Sequence, residues 1–185
     1  MRGALDTLYR VSGVLAAILL AAIGLIVLLQ VGANLIDKVV GWVGGTPPGL
    51  LIPSYSEFAG FFLAGASFLA LAYTLRAGDH IRVSLVLQAF PAGLRRAAEV
   101  WCTAVAGALS GYFAWYAAAL VRDSIRFNDL STGIVPVPLW IPQAPVALGL
   151  AVLTIAFADD FVRVLRGGPP SYEAGEAGIL TGGGA

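Results

Sequence analysis

Charged residues punctuate this chain and leave long apolar intervals between them. Four runs contain no Asp, Glu, Lys, Arg or His: Val11–Ile36, Phe58–Leu75, Val100–Val121 and Leu130–Ala158. A helix of about 20 apolar residues crosses a hydrocarbon core about 30 Å thick, so every run reaches or nearly reaches spanning length. A fifth charge-free run, Val39–Ser56, holds Gly41, Gly44, Gly45, Pro47, Pro48, Gly49 and Pro53. That density of breakers excludes a continuous helix, and irregular backbone cannot face lipid, so the run reads as an apolar loop at the interface. Pro136, Pro138, Pro142 and Pro145 crowd the start of the fourth run. Proline fits a first helical turn but not a helix interior, which places the start of the last span at Trp140–Pro142. The predicted spans are 11–36, 55–76, 97–121 and 141–165, making one all-α integral membrane domain over residues 1–166.

The first span carries 15 Leu, Ile or Val residues. At about −0.3 to −0.6 kcal/mol each near a membrane centre, it inserts strongly. Its apolar stretch exceeds the roughly 7–15 residues of a signal-peptide core, so it is expected to stay as an anchor. The second span, with eight Leu or Phe, is marginal alone. Between spans two and three, Val83, Val86, Leu87 and Phe90 recur at helical spacing with Ser84 and Gln88 opposite. This pattern predicts a short amphipathic helix over 80–90, lying in the interface. The stretch Ile81–Leu85 also alternates as a strand would. The Gly- and Pro-rich residues 167–185 read as a flexible tail.

Composition supports a membrane assignment. The 185 residues are 58% hydrophobic and 12% charged, with 11 basic and 11 acidic groups and no net charge. Soluble domains carry about 25% charged residues, and nucleic-acid binding needs a basic excess that is missing here. One cysteine, Cys102, and one histidine, His80, exclude an internal disulfide and a haem or metal cluster built on such ligands. Eight basic residues (Arg2, Arg10, Arg76, Arg82, Arg95, Arg96, Arg163, Arg166) fall on one predicted side; three (Lys38, Arg122, Arg126) fall on the other. The positive-inside rule then puts both termini in the cytoplasm, N-in and C-in.

Ionisable residues within spans are the usual functional candidates, and none lies centrally here. Reactive constellations for a membrane enzyme are therefore missing. Gln30 and Asn34, four apart on one helix face, either line a path or hydrogen-bond between packed helices. Thr103, Gly107 and Gly111 form a small-residue ridge, as do Gly60 and Ala64 with Gly65. Each predicts a close helix crossing, within this chain or with a partner. Ser54 and Glu57 fit a capping box at the start of the second span, while an ion pair of Glu57 with another subunit is the functional alternative.

The run Arg76-Ala77-Gly78-Asp79-His80-Ile81-Arg82-Val83 closes a span that opens on Ser56-Glu57, and Pro91, Arg95 and Arg96 follow it. Before the last span come Ser131-Thr132-Gly133 and Pro138-Leu139-Trp140-Ile141-Pro142-Gln143. In these motifs, their order and the four-span frame, residues 8–166 resemble the small, DctQ-like permease subunit of tripartite ATP-independent periplasmic (TRAP) transporters. Two features depart from the family pattern: the long Gly41–Pro53 loop, and Ser84 where an acidic residue is common.

The resemblance implies an accessory subunit of a secondary-active importer, not an enzyme, embedded in the bacterial inner membrane. It implies a large multi-span permease partner carrying substrate and sodium ions, a periplasmic binding protein delivering a carboxylate, and no cofactor in this chain. Asp37, Lys38, Arg122, Asp123, Arg126 and Asp129 become candidate contacts with the periplasmic partner. Glu57, Arg76, His80, Arg82, Arg95 and Arg96 become candidate contacts with the large subunit or with lipid. A stand-alone four-helix channel or assembly factor is the alternative.

Overall fold

The computed structural model describes residues 2–46, 48–77 and 91–166. The predicted interfacial helix at 80–90 and the tail at 167–185 lie outside them. The described residues are all-helical, with four helices among them: α1 (Arg2–Trp42), α2 (Tyr55–Ala77), α3 (Ala92–Phe127) and α4 (Trp140–Leu165). All four are long and apolar enough to cross a membrane. Among the described residues there is no strand; one isolated antiparallel bridge, Leu130 to Pro138, pinches the loop between α3 and α4.

The helices run past the spans read from charge. At 1.5 Å per residue, the 41 residues of α1 extend about 60 Å, twice a hydrocarbon core. Asp37 and Lys38 end a span without ending a helix, because both are compatible with a helical backbone. Residues Val39–Trp42 were expected in the loop and are instead the last turn of α1. The breakers act only from Gly44, which takes the left-handed conformation at φ 79°.

The packing makes a row, not a square bundle. α1 lies on α2, α2 on α4 and α4 on α3, with only slight contact between α1 and α4. α2 is sandwiched, so it needs small or apolar residues on two faces. On one, Ala66 and Leu69 meet Ala16 of α1, and Ser12 Oγ donates 2.5 Å to the carbonyl of Leu69. On the other, Ala72 and Leu75 join Val152, Leu153 and Ala156 of α4, with Tyr9 closing the cluster.

The tightest crossing is α4 over α2. A Cβ on Gly149 would strike the carbonyl group of Phe68 and approach the Leu69 nitrogen to 2.7 Å. One level nearer the loops, a Cβ on Gly65 would come 3.1 Å from Pro145, which sits inside α4. The α3–α4 seam is looser: Gly107 faces Phe157 at 3.5 Å and Gly111 faces Thr154 at 3.4 Å. The Gly107–Gly111 ridge thus packs within this chain. Around Gly60 a Cβ would meet nothing within 4 Å.

These spacings give opposite expectations for two similar substitutions. Gly149→Ala forces α2 and α4 apart and costs about 1–3 kcal/mol, read as a lower thermal unfolding midpoint in detergent. Gly60→Ala leaves the midpoint unchanged or raises it, since Ala is the better helix former by about 1 kcal/mol.

Candidate functional site

Polar chemistry collects at the two ends of the row, and the charge-free stretches lie side by side between them. At the end holding the start of α1 and the last turn of α4, Arg76 joins three helices. Its guanidinium is 2.7 Å from Asp6 of α1 and 3.3 Å from Asp159 of α4, and it lies 5.8 Å from the ring centre of Tyr9. Arg163 Nε lies 3.3 Å from the same Asp159 oxygen, near enough to pair by charge though not aligned for a hydrogen bond. Asp160 is buried beside this group. Arg96 at the start of α3 donates to the carbonyls of Val164 (3.4 Å) and Leu165 (3.0 Å), tying α3 to the last turn of α4.

Asp6 and Tyr9 did not stand out in the sequence, because nothing in a periodic pattern says which helix Arg76 faces. His80 and Arg82 lie outside the described residues, as does the side chain of Arg95.

At the opposite end, two loops fold back on the helices. Buried Gln30 accepts a hydrogen bond from the Ile52 amide at 2.9 Å and donates to Asn34 at 3.2 Å. This pair therefore holds the α1–α2 loop and does not reach a neighbouring helix. Asp37 accepts from the Gly49 amide at 3.2 Å. Thr103 returns its hydroxyl to the Glu99 carbonyl of its own helix at 2.8 Å. Ala64 lines a cleft between α2, α3 and α4 with Phe61, Leu120 and Gln143.

The predicted capping box at Ser54 is not formed. Ser54 sits at φ 57°, and its hydroxyl accepts from the Val135 amide of the α3–α4 loop at 3.1 Å. The Ser54 carbonyl, not its side chain, receives the Glu57 and Phe58 amides, at 3.0 and 3.1 Å. That frees the Glu57 carboxylate, which lies under Gly133, and its Oε2 is buried with no hydrogen-bond partner among the described residues. A Cβ at 133 would fall on this carboxylate, so a larger residue there requires the Glu57 side chain to shift. Lys38, Arg122, Asp123, Arg126 and Asp129 lie on the exposed rim of this end. Arg122 is 3.8 Å from its neighbour Asp123, and Arg126 covers the Phe127 ring at 5.7 Å.

No metal-binding group of His, Cys, Asp or Glu occurs among the described residues. The two ends hold helices and loops in register. Arg76→Gln should therefore cost about 1 kcal/mol of stability, the worth of partly exposed ion pairs. Adding Asp6→Asn should cost little more, because the pair is already broken; a thermal double-mutant cycle in detergent measures the coupling.

Comparison with known proteins agrees with this architecture. No curated protein and no solved structure matches the chain. The family described as tripartite ATP-independent periplasmic transporters, DctQ component, matches residues 50–167, from the loop before α2 to the end of α4. That match covers more than half of the chain, which therefore belongs to the DctQ family, the small inner-membrane components of TRAP transporters.

Proposed function

We propose that this chain is a non-transporting brace in a secondary-active TRAP importer of an organic acid. The observation that carries the reading is the separation of charge from membrane: four charge-free helical stretches lie side by side, and acids and bases sit only at their ends. A subunit that carried a carboxylate or a cation across the bilayer would need polar ligands at mid-depth. The row of helices instead offers broad apolar faces, on which a large permease subunit holding substrate and sodium can be steadied. The carboxylate substrate reaches that subunit from a periplasmic binding protein. Both termini face the cytoplasm in this reading, which puts Asp37, Lys38, Arg122, Asp123, Arg126 and Asp129 where the binding protein arrives. The buried Glu57 oxygen is the group best suited to answer a cation from the large subunit, because the described residues of its own chain supply no donor.

Four measurements test this. Purification in mild detergent should recover a larger polytopic subunit, and deleting the chain should abolish uptake of one organic acid; a partnerless chain and unchanged uptake would overturn the reading. Glu57→Gln should leave the helices folded but reduce the amount of large subunit recovered. For orientation, a cysteine at Thr46 in a Cys102→Ser chain should react with a membrane-impermeant maleimide added to intact cells, and one at Arg166 should not.

A further inference from the structure

The α3–α4 seam opens into a groove at the arginine-rich end. Gly93, Ala97, Val100, Trp101 and Ala104 of α3 and Phe161 of α4 wall it, with Arg96 at its mouth. Its volume is about 530 Å³, and it lies broadly open along its length rather than enclosed. Small residues at 93, 97 and 104 leave the space, and Trp101, 71% exposed, stands at its side. The groove runs about 12 Å along α3, from Arg96 to Ala104 at the edge of the charge-free layer.

We infer that this groove binds one anionic phospholipid, with the phosphate at Arg96 and an acyl chain passing Val100, Trp101 and Phe161 into the membrane. Three features select that occupant. The walls are apolar except at the outer mouth, where the one charged group is a guanidinium, which suits phosphate geometry. Arg96 is held in place by its bonds to Val164 and Leu165, and those bonds use one nitrogen of a fork with five N–H donors. The first turn of α3 has no acidic residue and no side-chain cap, so the positive end of its dipole adds to the same field. A polybasic end of a membrane helix pair attracts anionic headgroups, and the groove gives that attraction a defined place.

The test uses the full-length chain, purified in mild detergent with any subunit that accompanies it. It is incubated with phosphatidylglycerol, with phosphatidylcholine of the same acyl composition, or with phosphatidylglycerol plus inorganic phosphate, and retained lipid is read by native mass spectrometry. Phosphatidylglycerol should be retained about fivefold over phosphatidylcholine, the effect of one basic residue at a membrane surface, and inorganic phosphate should not displace it. Ala97→Leu and Ala104→Leu fill the groove without touching Arg96 and should abolish retention. Arg96→Gln should remove the preference between the two lipids, while Arg10→Gln, which removes a charge elsewhere at the same end, should preserve it. Equal retention of both lipids, displacement by phosphate, or full retention in the two leucine variants would overturn the proposal. So would a photo-crosslinker at Trp101 that captures a protein subunit in place of lipid.

Discussion

The backbone of α4 touches the backbone of α2 where Gly149 crosses Phe68, and the rest of the arrangement follows from that contact. In a bilayer, lipid tails are as apolar as leucine, so helices gain little from hiding apolar side chains against each other. They gain from close approach, which small residues permit. Gly149 brings α4 onto one face of α2, Ser12, Gly13 and Ala16 bring α1 onto the other, and Gly65 lies between Leu19 of α1 and Pro145 of α4. With both faces of α2 taken, α3 packs on the far side of α4. A row results because α1 and α3 pack on opposite sides of the central α2–α4 pair.

Polar groups then fix what close packing alone leaves free to slide. Arg76 spans α1, α2 and α4 at one end, and Arg96 joins α3 to α4. At the other end the same service falls to neutral side chains on backbone amides, Gln30 on Ile52 and Ser54 on Val135. Ion pairs thus register the helices on the side richer in arginine, and hydrogen-bonded loops register them on the other.

The four helices were legible in the sequence because a charge within hydrocarbon is costly, so gaps between charges mark spans. Length beyond the membrane was not: Asp37 and Lys38 stop a span, yet the backbone stays helical to Trp42. The Ser54–Glu57 spacing suggested a capping box, but the left-handed backbone at Ser54 and the pull of the Val135 amide turn the hydroxyl elsewhere. Glycine spacing announced a close crossing at Gly107 and Gly111 without saying which helix answers, because helix order in a membrane is not written in periodicity. Gly149 passed unnoticed among apolar neighbours, although a lone glycine inside a strong span is the signal that marks it.

The length of α1 has a mechanical consequence. A continuous helix about 60 Å long transmits motion from end to end. Its first turns are held through Asp6 to Arg76, and the loop bonded to Gln30 grips it again beyond the middle. Past Gln30 the last 12 residues carry Asp37, bonded to the Gly49 amide of the α1–α2 loop, and end at Trp42, 88% exposed. A tilt of about 5° at the Asp6 end would sweep that tip through about 5 Å. A rigid α1 pivoting where Asp6 meets Arg76 has its longest arm at Trp42, so a small change of angle at that ion pair is magnified at the far tip.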